Sequence, residues 1–253
     1  VKPLVRWTFG PTKCLEAVEC LQKSIWYFRR LYQKQFDFVV LNNSLRQLDV
    51  PIPVINQKDY IMSLSFPAFG PAWKLFPPRF RPESHEIFID NDFILYKKHP
   101  VIDNFLKSTD MIFCTEGLQR RFGIFSNLID QQTKINTGFF GVPPFFELGK
   151  NIENLISLFN LPPFFNIKEE FIDRQKKIGN NKVFFDHLSR FDEQGCLSAI
   201  FTKHKNLHIL PLKDISVCSN KMIYGKYGAH FVGINNGKTC FFNEYKQQKL
   251  LKM

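Results

Sequence analysis

Apolar residues recur along the chain in two rhythms. Over Leu4 to Phe9, "LVRWTF", they are nearly continuous, and the run predicts a short strand ending at Gly10. From Cys14 the rhythm changes. Val18, Leu21, Ile25, Phe28 and Leu31 follow at three- and four-residue spacing, which predicts a helix with one buried face. Thr12 offers a cap before it, and Arg29, Arg30 and Lys34 near its end suit the negative pole of its dipole. Phe36 to Leu41 then reads as a buried strand closing on Asn42 and Asn43. Strand, helix, strand is a βαβ opening, which predicts a parallel sheet with a right-handed crossover.

Prolines at 51, 53, 67, 71, 77, 78 and 82 deny long helices and central strands to residues 51–82, so this stretch is expected to be a connection lying across the sheet. Residues 85–96, "HEIFIDNDFILY", form the most strand-like run, yet Asp90, Asn91 and Asp92 interrupt it. "HPVIDNFLKS" reads as a helix, "DMIFCTEG" as a strand, and "KINTGFFGVPP" as a strand broken by Gly138 and Gly141. Helices are expected near 150–160 and 167–177, and another begins in "FDEQGCLSAIF". "NLHILP" reads as a short strand, "GKYGAHFVGINNGK" as a glycine-rich loop, and Asn243 to Lys252 as a final helix.

Three polar islands stand out against this pattern. In an extended strand, Asp90 and Asp92 point the same way and converge on one cation; a turn after Asp90 is the competing geometry. Paired carboxylates with open positions suit Mg²⁺ or Mn²⁺, with phosphates completing the shell. The second island, Asp192 to Ser198, reads either as a helix cap, with Asp192 capping and Glu193 in the first turn, or as a hydroxyl-binding set. The third, His230 to Lys238, is either a surface loop or a ligand loop. In the latter, His230 completes a metal shell and Lys238 holds a phosphate.

Composition changes this picture little. The chain has 253 residues, 44% hydrophobic and 23% charged, which is ordinary for a folded domain with a sizeable core. The net charge of +11 fits nucleic acid, an anionic surface or a phosphate-bearing substrate, but it is spread rather than striped. The 29 phenylalanines fall mostly at core-like spacing. Six cysteines without a Cys-x-x-Cys pair argue against a zinc site or disulfide framework and for reduced thiols in a cytoplasmic setting. No apolar run reaches the roughly 20 residues of a membrane span. No leader is read at Val1-Lys2-Pro3, and the absent initial Met suggests a trimmed or mature chain.

Taken together, the islands resemble the GT-A glycosyltransferases, and among them the retaining group typified by glycogenin and the lipopolysaccharide galactosyltransferases. "FIDND" is similar to that group's Asp-x-Asp after an apolar strand, and "NTGFFG" to its Asn-x-Gly strand. "EQGCLS" is similar to its acid-Gln-x-x-Leu-Asn segment, with Glu193 for Asp and Ser198 for Asn. "HFVGINNGK" is a looser version of its His-x-Gly-x-x-Lys-Pro-Trp, with a longer gap from His230 to Gly233 and Thr239-Cys240 after Lys238.

The resemblance implies a GT-A-type, Rossmann-like mixed α/β sheet flanked by helices in a single domain. Residues 1–115 would be the nucleotide-binding half and 116–253 the acceptor and sugar half. It implies transfer of a sugar from a nucleoside-diphosphate sugar, UDP-sugar favoured, to a glycan, lipid or protein hydroxyl, with retention. Asp90, Asp92 and His230 would hold Mn²⁺ or Mg²⁺. Trp7, Thr8, Phe9 and Gly10 would flank the base and ribose, with Asn91, Gly233 and Lys238 also on the cofactor. Asn136, Thr137 and Gly138 would line the sugar and acceptor cleft, and Glu193 and Gln194 would hold the sugar. Asp192 and Glu193 are the candidate bases if the enzyme inverts instead. Lys74 and Arg79 either approach phosphate or sugar or form surface salt bridges.

Two rival readings remain. One is another metal-phosphate enzyme, a nucleotidyltransferase or nuclease, which favours more carboxylates around two metals. The other is a basic nucleic-acid-binding module, which needs clustered cations with exposed aromatics, a pattern not found here. Nucleic acid is accordingly not expected as a partner. Lys246, Lys249 and Lys252 suit a solvated helix face, or alternatively peripheral contact with an anionic membrane surface.

Overall fold

A computed structural model describes residues 1–44, 46–57, 71–115, 122, 125, 128–129, 135–157, 193–204, 206–218 and 225–250. The chain opens as its hydrophobic rhythm predicts. Strand β1 (Leu4–Phe9) leads through helix α1 (Leu15–Tyr32) to β2 (Asp37–Asn42), and β1 and β2 pair in parallel. Ala17, Cys20, Leu21, Ile25 and Phe28 form the buried face of α1. Thr12 does not cap the helix directly; its Oγ1 accepts from the Cys14 amide at 3.0 Å, one residue before the first turn.

The proline-rich connection contains β3 (Val54–Asn56), which adds in parallel to β2, and a 3₁₀ turn, Pro71–Leu75. Next come β4 (Glu86–Asp90), β5 (Phe93–Leu95), helix α2 (Pro100–Phe105), β6 (Met111–Thr115), β7 (Ile135–Val142) and helix α3 (Leu148–Ser157). Helix α4 covers residues 193–201. Strands β8 (Leu207–Leu210), β9 (Ile215–Val217) and β10 (Gly228–His230) follow, then helix α5 (Cys240–Tyr245), which continues as a π-helical stretch, Lys246–Leu250. The helix expected near 167–177 lies outside the described residues.

Seven strands form one sheet in the order β3-β2-β1-β4-β7-β6-β8. Within it β7 alone runs antiparallel to its neighbours, β4 and β6. A second sheet, β5-β10-β9, joins the segment after Asp92 to the C-terminal region. Strands from both predicted halves of the chain share the large sheet. Alternation along β4 and β7 then sorts the core. Ile87, Ile89 and Phe139 enter the cluster beneath α1, while Phe88 and Phe140 enter the cluster beneath α3 and α4. Phe88 and Phe140 stack at 4.3 Å between centroids. Burying each such ring contributes ~1.5–3 kcal/mol, so the phenylalanine richness is used on both faces of the sheet.

Two expectations are corrected here. Strand β7 runs from Ile135 to Val142, and the break predicted at Gly141 is absent, since Gly141 pairs with both Ile87 and Ile112; at Gly138 the expectation holds in part, because the ladder to β6 shifts register between Phe113–Phe140 and Cys114–Asn136 and passes over residues 137–139. A Cβ on Gly141 would come within 2.8 Å of the Ile112 Cγ2. The tail is not wholly loop, because Gly228–His230 forms the central strand of the small sheet. Alternation was hard to see there because the strand has three residues and begins with glycine. Among the described residues, no helix is long and apolar enough to cross a membrane.

Candidate metal centre

The chain reverses sheet order at β1, with β2 on one side and β4 on the other, both parallel to it. The carboxyl ends of strands at such a switch point form a natural crevice for ligands. Asp90 is the last residue of β4, directly opposite Thr8 on β1, whose Oγ1 donates to Asp90 Oδ1 at 3.2 Å. Asn91 and Asp92 then form a turn, and β5 departs into the other sheet. The two carboxylates therefore converge through a strand end plus a turn rather than through one continuous strand.

The third member arrives from the C-terminal region. His230 ends β10, paired with Phe93 at the start of β5, and its Nε2 lies 3.1 Å from Asp92 Oδ1. One ligand atom from each of Asp90, Asp92 and His230 falls within 4.8 Å of the other two. The imidazole has room because residue 138 is glycine; a Cβ there would lie 2.1 Å from the ring's Cε1. Two hard oxygens and an imidazole nitrogen, the ring seated over a glycine cradle, fit Mn²⁺ or Mg²⁺ with positions left for phosphate oxygens.

Lys74 supplies the site's cation, and it is not at the surface. It is buried, with its Nζ 3.0 Å from Asp90 Oδ1, 3.1 Å from Glu193 Oε1 and 3.2 Å from the Thr137 carbonyl oxygen. Burial pulls its pKa down, but Asp90 and then Glu193 outweigh that and hold it above the ordinary lysine value. Glu193 opens α4 and accepts from Thr137 Oγ1 at 3.1 Å. Burial pushes its pKa up to about 7, with Lys74 pulling it only partly back. The Thr137 side chain points to Glu193 and its carbonyl to Lys74, while a Cβ on Gly138 would point at His230.

Other predicted residues fall in different places. Trp7 and Phe9 are core residues, and Trp7 Nε1 donates to Ser24 Oγ at 2.8 Å, so neither ring is available to flank a nucleobase. A β1 strand packed on both faces has no free side for them. Gly10 faces the Trp73 ring, 3.3 Å from where a Cβ would be. Asn91 turns its amide inward in a reciprocal pair with Asn235, at 3.2 and 3.0 Å. Asn136 Oδ1 accepts from the Gly138 amide at 2.9 Å. Gln194 lies half-buried next to Glu193, and Asp192 lies outside the described residues. Gly233 adopts φ 91°, with Lys238 folded across it, and Lys238 itself is exposed.

Arg79 is held away from the site. Its Nε lies 3.3 Å from Glu86 Oε2, and its Nη1 donates to the Pro143 and Phe146 carbonyls. Sequence reasoning missed Asn235 and left Lys74 undecided. The available signal was Lys74's setting in "AWKLF", a lone charge within an apolar run.

No protein-family model matches the chain, and no curated protein matches it by sequence. Solved structures do. An active-site mutant of LgtC superposes with a TM-score of 0.53 at 8% identity, covering 95% of each chain. The galactosyltransferase LgtC in complex with donor and acceptor sugar analogues superposes at 0.51 and 9% identity, covering 97% of this chain and 96% of the other. The apo bifunctional glycosyltransferase WbbM matches at 0.54 and 12% identity, over 92% of this chain and 46% of its own. Across nearly its whole length, the chain has the GT-A glycosyltransferase fold.

Proposed function

We propose that the protein is a metal-dependent glycosyltransferase that moves a sugar from a nucleoside-diphosphate sugar, UDP-sugar favoured, to an acceptor hydroxyl with retention. The observation that carries this reading is the convergence of Asp90, Asp92 and His230 beside the buried Lys74–Glu193 pair at the sheet's switch point. Mn²⁺ or Mg²⁺ bound by the first three residues would neutralise the donor diphosphate. Lys74 carries its charge towards the leaving phosphate, where negative charge develops in the transition state. Glu193 and Gln194 hold hydroxyls of the transferred sugar, and Thr137 fixes the Glu193 carboxyl through its 3.1 Å hydrogen bond.

The acceptor oxygen bonds to the anomeric carbon on the face that the phosphate leaves. The bond from that carbon to the phosphate oxygen breaks, and the acceptor proton passes to the departing diphosphate. Gly10 offers backbone to the base, Asn136 and Gly138 line the sugar cleft, and Gly233 and Lys238 close over the diphosphate. The acceptor is a glycan, lipid or protein hydroxyl.

A melting panel of UDP, GDP, CDP and ATP, each with and without Mn²⁺, tests the reading. One diphosphate at about 100 times its Kd should add ~2.7 kcal/mol, a rise of about 5–10 °C for a chain of this size, and only with metal. Stabilisation by oligonucleotides without metal, and none by any diphosphate, would overturn it. Sugar release across a donor panel then identifies the substrate.

A further inference from the structure

Lys74 is held from behind. It sits in the five-residue 3₁₀ turn Pro71–Leu75, which lies outside both sheets among the described residues. Two buried side chains occupy four of the carbonyls along this strap. Gln57 Nε2 donates to the Trp73 oxygen at 2.7 Å and to the Phe76 oxygen at 2.9 Å. Arg6 Nη2 donates to the carbonyl oxygen of Lys74 itself, and its Nη1 donates to the Pro77 oxygen at 2.7 Å. Arg6 comes from the middle of β1 and Gln57 from the residue after β3, so the turn is pinned directly to the large sheet.

Arg6 has no freedom of its own. Its guanidinium lies 3.3 Å from Glu86 Oε1 and 4.1 Å from the centre of the Phe88 ring. Glu86 Oε2 in turn accepts from Arg79 Nε at 3.3 Å and from the Phe80 and Arg81 amides at 3.0 and 3.2 Å. A bare hydrophobic contact could bury this strap equally well. A fork that grips the carbonyls of residues 74 and 77, with an amide gripping 73 and 76, instead fixes the height and rotation of the turn.

We propose that Arg6 and Gln57 are positioning residues for Lys74, setting where its ammonium stands between Asp90 and Glu193. The catalytic consequence rests on the glycosyltransferase reading; the placement of Lys74 does not. Reacting groups tolerate little displacement, since a misplacement of ~1 Å from a remote change costs on the order of 10²-fold in rate.

The experiment compares Gln57→Leu, Arg6→Met and Arg6→Lys with wild type by two readouts in folded protein. The first is the rate at which acetic anhydride labels the Lys74 amine, followed by peptide mass mapping; it needs no substrate. Labelling should rise at least about tenfold in Gln57→Leu and Arg6→Met, and less in Arg6→Lys, which keeps a charge opposite Glu86. The second is transfer kinetics, in which kcat should fall at least about tenfold while the donor KM stays within about twofold. Variants that merely melt earlier, with wild-type labelling and kcat, would overturn the proposal. If Arg6→Met does not fold, Gln57→Leu decides, because it removes no charge. If wild type transfers no sugar from any donor, the functional reading falls, and the labelling rates still decide whether Lys74 is positioned from behind.

Discussion

Strand β4 carries a carboxylate at each end, Glu86 at its start and Asp90 at its finish, and the two are treated differently. Glu86 is fully enclosed and satisfied by two arginines and two backbone amides. Asp90 meets one lysine and one threonine hydroxyl, with Asp92 and His230 close by and about a quarter of its side chain open. A closed network holds one geometry, whereas an arrangement with more acid than base around it is suited to a further cation. The same five-residue strand thus ends in a rivet at one pole and a site at the other.

Changing each carboxylate should separate the two poles. The largest loss of activity belongs to the site: Asp92→Asn should lower transfer by on the order of 10²–10³-fold, with a melting temperature at or above wild type. A loss of folding in that variant would make Asp92 a structural residue like Glu86. At the other pole, Glu86→Gln should cost ~3–5 kcal/mol in urea unfolding, because it leaves two buried guanidinium groups short of their counter-charge. A wild-type unfolding midpoint would show that Glu86 is not the rivet.

A smaller effect is expected where the poles' geometries differ most. Gly138→Ala drives a methyl into the His230 ring and should cost ~1–3 kcal/mol. It should also weaken Mn²⁺ binding about tenfold by titration calorimetry, as shifts in ligand orientation do. Unchanged affinity would remove His230 from the metal shell. The smallest effect is a pH dependence that comes from Glu193 at the site pole. Burial lifts Glu193 from its ordinary 4.5 to about 7, so the native state holds this proton more tightly than the unfolded chain. Its stabilising contribution is full below pH 4.5 and is lost as pH rises through about 7. Glu193→Gln should therefore gain stability relative to wild type between pH 5 and pH 8 in thermal melts. A parallel pair of curves would show that Glu193 is ionised throughout.

How far the sequence alone carries is clear from particular residues. Helix α1 and strands β1, β2 and β6 were legible because each has one repeating face or a continuous apolar run. Asp90 and Asp92 stood out as a polar interruption of an apolar run, open between a cation pair and a turn, while His230 stayed open between a surface loop and a ligand loop and joined them only through the resemblance. Arg6 and Lys74 were not assigned: each is a lone cation within an apolar run, which signals burial, but the acid that each is buried against is distant in the chain.

By itself, the order of apolar and polar residues determined the βαβ opening with its parallel strands and marked the acidic pair as a polar interruption, because these depend on local periodicity and on the cost of burying charge; the mixed sheet came only with the resemblance. The tertiary structure alone decided that the Asp90–Asp92 approach is made through a turn, that Gly138 exists for the His230 ring, and that Lys74 stands between Asp90 and Glu193. Those depend on which strands become neighbours in the sheet. Residues 74, 137, 193 and 230 meet only after long chain segments have folded back, and no local pattern encodes that meeting.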